Sequence, residues 1–252
     1  MTTLRRPATP EGLFLWVMHS FASRFDQHAI LKGGMALRLL ASPRSTTDID
    51  YVFVPYASKR DVSSEVEAVL RELDDARVDI TLHSKMLRAT VQVDAARIQV
   101  EINVAMSCAA VPMATGDFAR AHGQPSQVVA VMHFDTALAE MLAAWNERRL
   151  VRDLYDCHFL VHRLGARLDL QTLERRLSRI DSRLPELRKR KRMTPGKLAE
   201  ELRSRLTSLT KESVEAEIGA LLPPEELAGL APRIRVSVSR LIDELAPSAS
   251  SL

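Results

Sequence analysis

Asp48 and Asp50 stand one residue apart in the run DIDYVFV (48–54), and they set the first expectation about chemistry. On an extended strand, residues i and i+2 point to the same side about 6.5–7 Å apart, so this pair can present two carboxylates to one cation cluster. Oxygen ligands of this kind suit magnesium ions, which can activate an attacking hydroxyl and neutralise a leaving pyrophosphate. That is the requirement of nucleotide transfer. Two carboxylates are usually too few, and Glu101 is the candidate third. In RIQVEINVA (97–105) Ile98, Val100, Ile102 and Val104 take one face of a strand, while Gln99, Glu101 and Asn103 take the other.

Fifteen aspartates in one chain make a single Asp-x-Asp pair ordinary, so its meaning depends on what precedes it. In LKGGMALRLL a helix starting at Gly33-Gly34 would aim free backbone N–H groups at an anion with no side chain in the way, and Lys32 adds a mobile charge beside it. The alternative is a tight turn that needs positive φ. Glycines before a strand that begins with two aspartates favour the phosphate site.

These residues need elements to hold them. EGLFLWVMHSFASRF (11–25) predicts a core helix with Leu13, Phe14, Val17, Phe21 and Phe25 on one face, followed by a second helix from the glycines and a strand at 48–54. SKRDVSSEVEAVLREL (58–73) predicts a surface helix, and 78–84, 89–94 and 97–105 predict strands, the last two forming a hairpin. From about Phe134 the pattern becomes helical through FDTALAEMLAAWNERR, VRDLYDCHFLVHRLG and a last helix near RIRVSVSRLIDEL; LLPPEEL (221–227) punctuates this half, and the tail APSASSL is expected to be disordered. The expectation is an α+β protein with a small mixed sheet flanked by helices, residues 1–125, followed by a helical domain, residues 126–252.

Composition bounds the functions available. The chain has 252 residues, 46% of them hydrophobic, and no run of eighteen apolar residues, which excludes a helical membrane span. Two cysteines and the absence of a secretory pattern at the start place it in the cytoplasm. Net charge is only +3, yet residues 171–205 hold twelve Lys/Arg against five Asp/Glu. Arg188, Lys189, Arg190, Lys191 and Arg192 form an unbroken run suited to phosphates of RNA, or to a solvated face.

Taken together, LKGGMALRLL, then PRSTTDIDYVF in the pattern R-x-T-x-D-I-D, then RDLYD in the helical half resemble the AbiEii/AbiGii toxin family of the DNA polymerase beta-like nucleotidyltransferases, over roughly residues 10–165. The resemblance implies a toxin paired with an antitoxin, which transfers a nucleoside monophosphate from an NTP to an acceptor such as the end of a transfer RNA. It implies magnesium, or manganese, on Asp48 and Asp50, and nucleotide contacts from Lys32, Gly33, Gly34 and Arg44. It also implies that Asp153 of RDLYD assists the reacting hydroxyl or the nucleotide; on the residues alone, Asp153 reads as a helix N-cap.

Two positions depart from the family pattern. Met141 stands where a lysine usually reaches toward the nucleotide, and Met35 stands where a hydroxyl residue often follows the glycines. Arg148, two turns beyond Met141, could supply the charge, as could Arg149, Arg152 or Lys32. A second reading follows from the loss: an enzyme-like fold that binds RNA or a protein partner without catalysis. His158 and His162 read as core or surface histidines rather than zinc ligands, Cys157 is weak as a nucleophile, and Trp16 and Trp145 read as packing residues.

Overall fold

The computed structural model describes residues 7–84, 86–182, 184–187 and 190–245. The expected phosphate contacts of Arg188 and Lys189, and the tail 246–252, lie outside the described residues. By its internal contacts the chain divides into two compact units, Met1–His133 and Phe134–Leu252.

The first unit opens with α1 (Pro10–Phe25), capped by the Thr9 hydroxyl, which accepts from the Gly12 N–H at 3.1 Å. Strand β1 (Ala29–Lys32) follows and runs directly into α2 (Gly33–Leu39). After β2 (Asp48–Phe53) come α3 (Arg60–Leu70), β3 (Arg77–Leu82), β4 (Leu87–Val93), β5 (Ala96–Val104), β6 (Ala110–Ala114), α4 (Gly116–Ala121) and β7 (Val128–Met132). The strands form one mixed sheet in the order β3-β4-β5-β2-β1-β7-β6. Parallel pairs β2–β5 and β1–β7 lie among antiparallel ones.

Three of these strands were not expected. AILK in β1 is four residues long, too short for alternation to show, and is buried because strands pair on both sides of it. β6 carries Pro112, which is tolerated because β6 is an edge strand. β7 (VVAVM) has no polar residue to mark its outer face. The expected hairpin is present, with Asp94 and Ala95 as its two-residue turn and Asp94 at φ 51°, which aspartate tolerates better than most residues.

One face of the sheet is packed. Phe21 of α1 lies edge-on to Tyr51 and Phe53 at 5.0 and 5.5 Å, Phe25 meets Phe53 at 4.8 Å, and Val62, Val66, Val69 and Leu70 of α3 are buried. The strands obey this in their alternation: in β4 Leu87, Ala89, Val91 and Val93 are buried while Arg88, Thr90 and Gln92 between them are half-buried. The polar residues of β2, β4 and β5 therefore share the opposite face, as expected of a sheet covered by helices on one side. That face carries the chemistry.

The second unit is helical: α5 (Phe134–Arg148), α6 (Val151–Leu164), α7 (Leu170–Leu177), α8 (Pro195–Ser208), α9 (Lys211–Ile218), α10 (Pro224–Leu227) and α11 (Leu230–Leu245). Its core is apolar, with Leu138, Leu142, Leu154, Leu160, Leu173, Leu198, Leu202, Ile234, Val238 and Leu241 each at most 1% exposed. No helix among the described residues is long and apolar enough to cross a membrane.

Candidate active site

Strand register assembles the first unit's site. Lys32 pairs with Asp50 across the antiparallel β1–β2 ladder, Asp50 with Glu101 across the parallel β2–β5 ladder, and Glu101 with Arg88 across the antiparallel β5–β4 ladder. Paired residues share a face, so Lys32, Asp50, Glu101 and Arg88 form one row across four strands of the open face. Asp48 lies on the next row, beside Gln99. Ile49 between the two aspartates is fully buried on the other face, which fixes the direction of both carboxylates.

The glycine turn is pressed against this row. Gly33 has φ +70°, and a Cβ built there would sit 2.4 Å from Asp50 Oδ2. A Cβ on Gly34 would sit 2.8 Å from Arg44 Nη2 and 2.9 Å from Thr46 Oγ1. Both glycines are thus explained by close approach: Gly33 lets backbone reach the Asp50 carboxylate, and Gly34 lets α2 rest on Arg44. Arg44 is buried, with Nη1 donating to the Ser45 carbonyl at 3.1 Å, so it braces the turn from within the fold.

Thr46 was visible only as the threonine of R-x-T-x-D-I-D; its role is set by geometry. Its hydroxyl donates to Asp48 Oδ1 at 2.8 Å, orienting that carboxylate. Glu101 sits beside Asp50 but has other partners. Its Oε1 accepts from Arg88 Nη2 at 2.7 Å, from Arg88 Nε at 3.2 Å and from Gln99 Nε2 at 2.7 Å. Among the described residues no three His, Cys, Asp or Glu side chains come together in a metal-holding group. In this geometry Asp48 and Asp50 lie together on the open face beside Glu101, whose Oε1 is the oxygen engaged by Arg88 and Gln99. Magnesium is commonly bound by one or two carboxylates, with water and substrate phosphates completing its octahedron, so the pair Asp48 and Asp50 fits such an ion.

In the second unit Asp153 and Arg148 come together. Arg148 donates to both carboxylate oxygens of Asp153, at 2.7 and 3.3 Å, and Asp153 is 1% exposed. The N-cap of α6 is Leu150, not Asp153, which stands at the third helical position; the Val151 N–H is taken by Glu217 at 2.9 Å. Burial pushes the Asp153 carboxyl up to about 6, although Arg148 pulls the other way. The Arg148 side chain is 45% exposed, so water screens its charge and desolvation wins.

Because this pKa is raised on folding, protonated Asp153 favours the folded state, and its contribution is lost as pH rises from about 4 through about 6. Urea unfolding at pH 4.5 and 7.5 should show Asp153→Asn removing about 2 kcal/mol of that pH-dependent loss relative to wild type. Identical pH dependence in the two proteins would mean that Asp153 titrates normally.

Arg149 is occupied: it stacks over Trp145 at 4.5 Å and pairs with Glu201. Arg152 and Met141 are half-buried on their helices. Arg190 of the basic run also pairs with Glu201, while Lys191 and Arg192 are exposed. His158 is a packed residue whose Nδ1 meets Ser237 Oγ at 2.8 Å, and burial lowers its pKa to about 4. Burial also pushes the Cys157 thiol up, which makes it a poor nucleophile. A cavity of about 660 Å³, lined by residues including His28, Ile30, Pro55, Cys108 and Pro112, lies at the end of β1 and β2 away from Lys32 and Asp50.

Residues 16–228 match the sequence profile of the family described as nucleotidyl transferase AbiEii toxin, type IV toxin-antitoxin system. The chain belongs to this family. It is a nucleotidyltransferase, and the AbiEii profile spans both units. The fold agrees. MenT4, a nucleotidyltransferase toxin from Mycobacterium tuberculosis H37Rv, superposes with a TM-score of 0.59 at 20% identity, covering 97% of this chain and 87% of that one. JHP933 from Helicobacter pylori superposes with a TM-score of 0.52 at 15% identity, over 94% and 91% of the two chains. No curated protein matches the sequence.

Proposed function

We propose that this AbiEii-family chain is a toxin that moves a nucleoside monophosphate from an NTP to an RNA acceptor such as transfer RNA, in a reaction needing Mg2+ or Mn2+, and that a cognate antitoxin protein restrains it. The observation that carries the reading is the approach of the Gly33 backbone to Asp50, with Asp48 on the same face and Lys32 alongside. A bound divalent ion would supply neutralisation of phosphate charge at Asp48 and Asp50. Lys32 and the turn at Gly33 and Gly34 receive the triphosphate, while Arg44 and Thr46 hold the turn and Asp48 in place.

The acceptor hydroxyl attacks the α-phosphorus, the bond from that phosphorus to the bridging oxygen breaks, and pyrophosphate leaves with the electron pair. The hydroxyl gives up its proton as it attacks, and the family resemblance gives Asp153 the part of assisting either that hydroxyl or the nucleotide. Arg148, already on Asp153, is the proposed source of the charge that Met141 lacks. Lys191 and Arg192, exposed in the basic segment, are proposed to meet RNA phosphates, with Arg190 tied to Glu201 and so contributing less.

The test is an incubation of the purified protein with each α-labelled NTP and total RNA, with Mg2+, with Mn2+, and with chelator. Label should enter RNA in the presence of metal and not in its absence. Label on protein instead of RNA would overturn the acceptor class, and transfer that survives chelation would overturn the metal requirement.

A further inference from the structure

Arg88 stands at the far end of the charged row, and the function proposed above gives it nothing to do. In the order Lys32, Asp50, Glu101, Arg88, the phosphate-receiving turn lies on the β1 side of Asp50 and Arg88 lies on the β4 side. Two strand spacings put the Arg88 backbone roughly 10 Å from that of Asp50, within the span of an extended arginine and one phosphate. The row holds two positive and two negative groups, and its adjacent carboxylates would repel if left alone. Glu101 is the less exposed partner of its ion pair, 16% against 39% for the Arg88 side chain. Three N–H donors converge on one Glu101 oxygen, two from Arg88 and one from Gln99.

We infer that Glu101 is a positioning residue that holds Arg88, and that Arg88 binds a phosphate of the acceptor strand. The inference rests on the transferase reading above. In-line transfer places the attacking oxygen and the leaving pyrophosphate on opposite sides of the transferred phosphorus. With the triphosphate tail on the β1 side, the attacking end of the acceptor comes from the β4 side, where Arg88 is the cation on the row. With Nε and Nη2 on Glu101 and Nη2 also reaching Met86 Sδ at 3.7 Å, the guanidinium offers its Nη1 N–H donors to a phosphodiester. Through Oε1 Glu101 thereby acts on Arg88, while the proposed metal is given to Asp48 and Asp50. The acceptor class that this selects is a polynucleotide whose backbone phosphate precedes the reacting hydroxyl, in preference to a protein side chain.

Three variants test it: Arg88→Gln, Arg88→Lys and Glu101→Gln. Transfer to total RNA, Mn2+ binding by electron paramagnetic resonance, and anisotropy of a labelled single-stranded RNA titrated at several salt concentrations are measured for each. Arg88→Gln should raise the acceptor KM about ten-fold, the size of one lost charge-assisted contact, with the NTP KM unchanged. It should reduce the slope of log affinity against log salt by about 0.7, one phosphate on a single strand. Arg88→Lys should recover part of both, and Glu101→Gln should resemble Arg88→Gln while binding Mn2+ as tightly as wild type.

Loss of Mn2+ binding in Glu101→Gln with acceptor KM intact would make Glu101 a third ligand and overturn the inference. An unchanged acceptor KM and salt slope in Arg88→Gln would reduce the pair to a cross-strand contact. If wild type transfers nothing to RNA, the transferase reading of the acceptor fails, and the anisotropy arm still decides whether Arg88 binds a nucleic-acid phosphate: a lower slope in Arg88→Gln supports it and an equal slope overturns it.

Discussion

Asp48→Ala and Asp50→Ala are each expected to lower nucleotide transfer by about a thousand-fold or more while leaving the fold intact. The size follows from the small number of ligands. In the proposed site Asp48 and Asp50 are the two carboxylates given to the cation, with Glu101 Oε1 engaged by Arg88 and Gln99, so removing either would halve that pair. Electrostatic stabilisation of the transferring phosphoryl group is commonly the largest catalytic contribution, and single preorganised groups are worth about 10²–10³ in rate even when others remain. The fold should survive because both side chains lie on the open face, while Ile49, Tyr51 and Phe53 of the same strand carry the packing. Asp50 also neighbours Glu101 across the parallel ladder, so its removal relieves a like-charge contact. Transfer is read with labelled NTP, and folding by circular dichroism and thermal unfolding. Wild-type rates in both folded variants would show that the metal lies elsewhere.

The sequence carried the two signals that build this site, because both depend on local rules. Alternation in 97–105 placed Glu101 on a polar face, and strand periodicity placed Asp48 and Asp50 together. What it did not carry depends on register between segments distant in the chain. That Arg88 opposes Glu101 follows from a hairpin turn at Asp94-Ala95; once that turn is fixed, counting back along β4 reaches Arg88. The strand β1 joins the site to β7, yet its four residues hold no pattern, and its burial comes from neighbours some twenty and one hundred residues away. The glycines stand out in the sequence, but the reason for them is only half legible there: positive φ at Gly33 is a local property, whereas contact with Asp50 and Arg44 is not. The same limit applies to Asp153, whose place inside α6 and not at its cap is set by Glu217 reaching the Val151 N–H.

The approach of Gly33 to Asp50 gives the second large effect. Gly33→Ala is expected to lower the transfer rate at saturating NTP by about a hundred-fold, since misplacing a reacting group by about 1 Å can cost that much. Two costs are combined in the variant. The backbone at φ +70° is strained for any residue with a Cβ, by roughly 1–2 kcal/mol, and the new methyl would lie 2.4 Å from Asp50 Oδ2, a distance at which one of them must move. If the carboxylate moves, the cation loses its position; if the backbone moves, α2 lifts from Arg44 and Thr46, which orients Asp48. Either way the site is disturbed. Gly165→Ala separates the two costs, because Gly165 caps α6 at φ +64° and a methyl added there would meet nothing within 4 Å. It should lose stability by a similar 1–2 kcal/mol in thermal or urea unfolding and keep its transfer rate. A Gly33→Ala protein that is destabilised to the same extent yet transfers at the wild-type rate would show that the Asp50 carboxylate need not stay where the Gly33 backbone now meets it, and would remove the contact on which the proposed site is built.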